Sequence, residues 1–132
     1  MLRDKESLHR LIVYWTSGAD EDFIAAESLV RKKLFRQGLF FAHLCLEKYL
    51  KALIIFQTGE DAPYIHNLLR LAEIAELKLE PIHDQLLRDF NIFNIVGRYP
   101  WQSLEPITAA EAKRELKRAK EFKDWLKNKY LI

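Results

Sequence analysis

Arg98 and Tyr99 stand together in the segment Gly97-Arg98-Tyr99-Pro100-Trp101, where their side chains could recognise a phosphate-bearing ligand. The planar guanidinium of arginine presents several N–H donors in a geometry that matches phosphate oxygens. The rings of Tyr99 and Trp101 could stack on a nucleobase, although loop aromatics also commonly cover the end of a helical bundle. We therefore predict that Arg98 and Tyr99 bind a ligand.

A second polar group lies inside the most apolar stretch of the chain, Gly38–Phe56. On a helix its strongly polar side chains fall within an arc of about 140°, and they are His43, Glu47, Lys48 and Lys51. Glu47 and Lys51 are spaced i, i+4 in the order that favours an ion pair. We predict a narrow charged stripe at the surface or at a subunit boundary, with Glu47, Lys48 and Lys51 as ligand-binding residues.

His43 lies one helical turn before Glu47, and two interpretations remain open. It is either a structural histidine, which we favour, or a candidate catalytic group in a polar cleft that it shares with Arg98. His43 and Glu47 have no third metal ligand at a characteristic spacing. The four glycines are scattered singly rather than gathered in a phosphate-binding loop. We predict no metal site and no cofactor.

The helices that must position these groups follow from apolar residues at helical spacing. The first is predicted over Lys5–Phe35 as one helix through Gly18; a break there, with Asp20 capping a new helix, is the alternative. Phe35–Gly38 is predicted to be a tight turn. The central helix Gly38–Phe56 has fourteen apolar residues among nineteen, so other elements must surround it.

Three further helices are predicted after the central one. A short helix covers Ile65–Leu77, and another covers Ile82–Val96 and stops at Gly97. The last begins with a capping box, Thr108 to Glu111, and runs to about Lys129. No stretch alternates with period two for long enough to predict a strand. The fold class is therefore all-α, as an antiparallel up-and-down bundle of four main helices plus one short helix.

Length and composition predict an ordinary single domain over residues 1–132. No apolar run is longer than five residues, the length of Ala52–Phe56, which is far shorter than the roughly 20 residues of a membrane span. The charged N-terminus lacks the apolar core of a signal peptide. The single cysteine, Cys45, is predicted to be a small buried hydrophobe. We expect a cytoplasmic protein with no membrane partner.

The net charge of +2 is unevenly distributed. Residues 109–132 carry eight Lys or Arg against four Asp or Glu, so the basic excess lies on the last helix. Such a helix could attract a polyanion, and a nucleic-acid-binding module is one possible function. A mixed-charge face in contact with solvent is the commoner meaning of this pattern.

Four short motifs resemble those of the HEPN domain family, in order over Trp15–Pro100. The first helix has W-x3-A-x2-D-x3-A-x2-L, from Trp15 to Leu29, and the second has A-x4-EK-x-LKAL, from Ala42 to Leu53. His66-Asn67-Leu68 begins an H-x-L-x-x-L segment, and Arg98-Tyr99-Pro100 is similar to the RYP that ends the penultimate helix.

The resemblance implies a single HEPN-like helical domain that commonly forms homodimers, and it implies two different functions. Some members are metal-independent endoribonucleases, often toxins, that use an R-x4-6-H motif. Others are partners of minimal nucleotidyltransferases in two-gene modules, and the family name itself supposes nucleotide binding. Here Arg98 matches the arginine, but the histidine positions hold Ser103, Leu104 and Glu105. The sequence therefore favours a non-catalytic partner of a minimal nucleotidyltransferase. Nucleotide or RNA is its possible ligand. A divergent ribonuclease using Arg98 and His43 is the alternative, so enzymatic activity stays undecided.

Overall fold

The computed structural model describes residues 4–98, 105–130 and 132; for Gly97 and Arg98 it describes the backbone alone. Within that part of the chain the protein has helices and no strand, so the all-α prediction is confirmed there. The helices are α1 (Lys5–Arg31), α2 (Phe35–Thr58), α3 (Leu68–Ile74), α4 (Pro81–Arg98) and α5 (Ala109–Tyr130). None of the described helices is long and apolar enough to cross a membrane.

Helix α1 is continuous through Gly18, as predicted, and the alternative break at Asp20 is wrong. The side chain of Asp4 caps it by accepting a hydrogen bond from the Ser7 N–H, at 2.7 Å. The apolar stripe keeps its phase along the helix, and its second half is buried, at Ala19, Phe23, Ala26 and Val30. Packing of this one face explains why a mid-helix glycine does not end the helix.

The predicted turn at Phe35–Gly38 is wrong, because those residues already form the first turn of α2. The connection is the shorter Lys32–Leu34, in which Lys33 has the left-handed φ of 64°. Gly38 is buried, and a Cβ at this position would lie 2.7 Å from Cγ2 of Val30. The glycine therefore allows close approach of two helices and does not break one.

Helix α2 contacts all four other helices, and most of its residues are buried, as the sequence predicts. Leu46, Tyr49, Leu50 and Leu53 are among its enclosed side chains. Cys45 is buried too, and loss of hydration raises the pKa of its thiol. The helix ends at Gly59, whose left-handed φ of 71° suits glycine and whose N–H donates to the Ile55 carbonyl.

Contacts between helices fix their relative directions. Gly38 near the start of α2 meets Val30 near the end of α1, whereas Lys51 near the end of α2 lies over Trp15 in the first half of α1. These two helices are therefore antiparallel.

Helices α4 and α5 are also antiparallel to each other. His83 near the start of α4 stacks on Trp125 near the end of α5, with ring centroids 4.0 Å apart. Further along α4, Asp89 pairs with Arg118, which lies earlier in α5. Both helices turn an apolar stripe to the same core.

The remaining differences from prediction concern helix ends. Helix α3 is shorter than Ile65–Leu77, because Asn67 caps it by accepting from the Arg70 N–H and Glu76 adopts a left-handed φ of 56°. Helix α4 does not stop at Gly97 but continues to Arg98. The cap of α5 is confirmed, since the Glu111 N–H donates to Oγ1 of Thr108 at 3.1 Å.

Candidate functional site

The carboxylate of Glu47 is the centre of a buried polar cluster on α2. Its Oε2 lies 3.3 Å from Nζ of Lys51, and its Oε1 lies 2.9 Å from Nδ1 of His66 and 3.9 Å from Nδ1 of His43. Glu47 is 4% exposed, Lys51 5% and His43 0%. A carboxylate so far out of water needs such partners, because its lost hydration must be replaced. We call these four residues the Glu47 cluster.

The cluster is assembled by helical spacing and by one loop. His43, Glu47 and Lys51 are four residues apart in turn, which places them on one face of α2. His66 comes from the segment between α2 and α3, whose end is held by α4. There the Leu68 N–H donates to Oδ1 of Asn91 at 2.8 Å.

Trp15 closes the cluster from the side of α1. Nζ of Lys51 lies 5.4 Å from the centroid of its indole ring, within the range of a cation–π interaction. Lys51 therefore has a carboxylate on one side and an aromatic face on the other. This arrangement leaves a buried ammonium well compensated without any second subunit.

The predicted surface stripe is therefore wrong as a continuous feature. Glu47 and Lys51 are buried within one chain, because α1 and the segment before α3 cover them. Lys48 turns the other way and pairs with Asp22 of α1, with Nζ 2.7 Å from Oδ2. Of the predicted ligand-binding residues on α2, only Lys48 keeps a partly exposed side chain, and it lines a cleft of about 270 Å³ between α1 and α2.

His43 is fully buried, as the structural interpretation requires. Its ring is enclosed in the core on the same face as Glu47, and its Nδ1 lies 3.9 Å from Oε1 of that carboxylate. An imidazole in this position has no route to a large external substrate while α2 stays in place. The geometry brings His43 together with Glu47, Lys51 and His66.

Arg98 and Tyr99 were predicted to bind a ligand, but the side chain of Arg98 and the whole of Tyr99 lie outside the described residues. The backbone places the end of α4 beside the start of α2, because Nη1 of Arg36 donates to the Val96 carbonyl at 3.4 Å. His43 follows Arg36 by seven residues, or roughly 10 Å along the axis of α2. The predictions for Arg98 and Tyr99 therefore remain predictions.

A further polar network was missed by sequence reasoning. The hydroxyl of the buried Tyr49 donates to Oδ1 of Asp20, and Nζ of Lys127 lies 3.7 Å from the same oxygen. Burial and the bond to Asp20 raise the pKa of the Tyr49 phenol. The network joins α1, α2 and α5. Its signal in the sequence was a tyrosine hydroxyl on a helix predicted to be enclosed, which must find a partner when buried.

Two further histidines make contacts between distant segments. The ring of His66, which precedes α3, binds Glu47 of α2. His83, near the start of α4, packs on Trp125 and Phe122, and burial lowers its pKa. Among the described residues, no group of three or more His, Cys, Asp or Glu is arranged to hold a metal ion.

Comparison with known proteins adds one match. The family model described as the HEPN domain matches residues 12–129. No curated protein and no solved structure matches the chain. The matched range includes the whole Glu47 cluster and extends from the first half of α1 almost to the end of α5.

Proposed function

The chain belongs to the HEPN domain family, and we propose that it is the non-catalytic partner of a minimal nucleotidyltransferase in a two-gene, toxin–antitoxin-like module. It would act in the cytoplasm as a homodimer of single-domain chains. Its binding of nucleotide or RNA would take place in the complex with the nucleotidyltransferase. HEPN domains are known to dimerise, which supports the dimer.

The observation that carries this proposal is an intact family scaffold without a histidine after Arg98. The four histidines are His9, His43, His66 and His83, so none follows the arginine. Cleavage of RNA without a metal needs a group that moves protons near neutral pH, and imidazole is the side chain suited to it. With that group missing, the scaffold is better suited to binding than to catalysis.

The antiparallel bundle of four main helices, with α3 as the short helix, is part of the same proposal. Its support is the observed pairing of α1 with α2 and of α4 with α5, each antiparallel. In this arrangement Arg98 and Tyr99 would border the binding cleft near the start of α2. Lys48 could reach a ligand directly, whereas Glu47 and Lys51 would contribute by fixing the position of α2.

Co-expression with the nucleotidyltransferase encoded beside this gene tests the proposal. We expect the two proteins to copurify as a complex of defined stoichiometry, measured by light scattering. Replacing Arg98 by Ala should weaken the complex at least about tenfold, whereas Arg88→Ala should not. Arg88 is the matched control because it lies on the same helix, is exposed and pairs locally with Asp84. A gene with no such neighbour, or two proteins that do not associate, would contradict the proposal.

The alternative is a divergent endoribonuclease that uses Arg98 and His43, and retention of the arginine is the observation in its favour. Complete burial of His43 argues against it, because a general acid or base must come within hydrogen-bonding reach of the substrate. Under this alternative, expression would arrest growth, and both Arg98→Ala and His43→Ala would relieve the arrest. Under our proposal the protein expressed with its partner leaves RNA intact.

The basic last helix does not favour a separate nucleic-acid-binding function. Most of its cations already form ion pairs with carboxylates of the same chain, namely Arg114, Lys117, Arg118, Lys120, Lys123 and Lys127. Paired cations contribute less to polyanion binding than free ones, because their field is partly cancelled. The charge pattern of α5 therefore matches a mixed-charge helix face in contact with solvent.

A further inference from the structure

A cavity of about 400 Å³ opens where the end of α1, the start of α2 and the start of α5 meet. It is larger than the α1–α2 cleft beside Lys48, at about 270 Å³. Cavities of a few hundred Å³ and upward are the usual size of small-molecule sites. This one is formed entirely within a single chain and lies outside the Glu47 cluster.

Three cations from different elements surround the cavity. Arg31 ends α1, Lys33 lies in the connection to α2, and Lys113 directly follows the first turn of α5. All three side chains are exposed, and none of them forms an ion pair within the described part of the chain. This distinguishes Lys113 from most basic residues of α5, whose charges are already compensated.

The charge balance of the lining suits a dianion. Among the described lining residues Glu27 contributes the one carboxylate, so three cations and one anion leave a net charge of +2 there. A phosphate monoester carries about −1.5 to −2 at neutral pH, whereas a carboxylate carries −1. The first turn of α5, at Ala109, adds the positive end of a 22-residue helix.

The floor of the cavity is apolar. Val30 is buried there against Leu39 and Ala112, in a small core cluster separate from the main one. Phe35 and Leu116 pack on that cluster and keep part of their surface open to the cavity. An inorganic anion would leave this surface wet, whereas a ligand with an apolar or aromatic body would cover it.

We propose that this cavity binds a phosphate monoester whose organic group is aromatic or apolar. The phosphate lies among Arg31, Lys33 and Lys113, and the organic group lies over Phe35 and Leu116. The inference goes beyond the proposed function, because the cavity needs neither a second subunit nor a nucleotidyltransferase. Its failure on the isolated chain would leave the proposed partnership intact.

An NMR titration of the ¹⁵N-labelled chain tests this site with phenyl phosphate, AMP and inorganic phosphate as probes. We expect saturable shifts of the amides at Lys33–Phe35 and Ala109–Lys113. Phenyl phosphate should bind at least about tenfold more tightly than inorganic phosphate, since the ring covers the apolar floor. Absence of saturable shifts, or equal affinity for phenyl phosphate and inorganic phosphate, would overturn the proposal.

Variants separate this site from general charge attraction. Arg31→Ala and Lys113→Ala should each weaken phenyl phosphate binding roughly tenfold. Lys117→Ala is the matched control, because Lys117 lies one turn further along α5, is 78% exposed at its side chain and pairs with Glu121. Glu27→Gln should tighten binding, a gain that partial unfolding cannot imitate. Equal losses in Lys113→Ala and Lys117→Ala, or no gain in Glu27→Gln, would overturn the proposal.

Discussion

Nδ1 of His66 lies 2.9 Å from Oε1 of Glu47, so the segment before α3 is tied to the middle of α2. The His66 side chain is 48% exposed, whereas the Glu47 side chain is 6% exposed. The contact spans a large sequence separation and joins a loop to the most enclosed helix. It therefore fixes a segment that has few backbone hydrogen bonds of its own in the described structure.

Removing this contact should loosen the loop without unfolding the protein. For His66→Ala we expect faster amide hydrogen exchange over residues 60–68, because the imidazole no longer holds the segment against α2. The free energy of unfolding should fall by about 1.5–3 kcal/mol, as is typical of a hydrogen bond to a charged group. Exchange within α1 should be unchanged. His9→Ala, at an exposed position of α1, is the control, and an equal exchange increase in that variant would contradict this role.

Glu47 and Lys51 should behave as a coupled buried pair. Glu47→Gln leaves the Lys51 ammonium, 5% exposed, without its carboxylate, so we expect a loss of about 3 kcal/mol in the free energy of unfolding. The double variant Glu47→Gln/Lys51→Met should lose less than the sum of the two single variants. Urea denaturation measures all three.

The exposed pair Arg70–Glu73 provides the control for that cycle. Its atoms are 3.0 Å apart, but both side chains are more than half exposed. Glu73→Gln should therefore cost well under about 1 kcal/mol. Strictly additive effects at Glu47 and Lys51, or a cost like that of Glu73→Gln, would mean that the buried pair is not coupled.

The apolar pattern predicted the helices well because their packing depends on one face at a time. Leu46, Leu53, Phe90 and Phe122 all lie in the core as their helical spacing predicts. Local rules failed at Gly38, where a turn was predicted, because the reason for glycine is a neighbouring helix and not the local backbone. Sequence periodicity within one helix contains no information about how closely a second helix approaches.

The candidate site was predicted less well for the same reason. The spacing of His43, Glu47 and Lys51 correctly placed them on one face, but it could not show that Trp15 and His66 cover that face. Burial of a polar stripe depends on contacts between segments distant in sequence. The Glu47 cluster could therefore be identified only from the tertiary structure.

Two glycines should respond to alanine in opposite directions. At Gly38 a Cβ would lie 2.7 Å from Cγ2 of Val30 and 3.2 Å from the Ala26 carbonyl oxygen, so α1 and α2 would have to separate. We expect Gly38→Ala to lower the free energy of unfolding by about 1–3 kcal/mol. Thermal melts measured alongside the parent protein would detect this loss.

Gly18 is the matched case inside α1. A Cβ there would lie 3.4 Å from Cδ of Lys48, an ordinary contact with a flexible side chain. Because alanine is the better helix former, Gly18→Ala should raise the free energy of unfolding by about 0.5–1 kcal/mol. Destabilisation by Gly18→Ala, or an unchanged melt for Gly38→Ala, would contradict the packing of α1 on α2.

His83 should make the protein less stable as the pH falls. Burial is the main cause of its lowered pKa; Glu80 opposes the shift, and Lys129 acts in the same direction as burial. In the unfolded chain the imidazole gains its proton near the ordinary pKa of 6.5, but in the folded protein it does so only at lower pH. The unfolded state therefore binds more protons below about pH 6.5, so stability is lost from there down to the folded pKa.

His83→Gln should reduce the loss of unfolding free energy between pH 7.5 and pH 5, measured by urea denaturation, whereas the exposed control His9→Gln should retain it. Equal pH dependence in the parent and His83→Gln would show that His83 does not contribute.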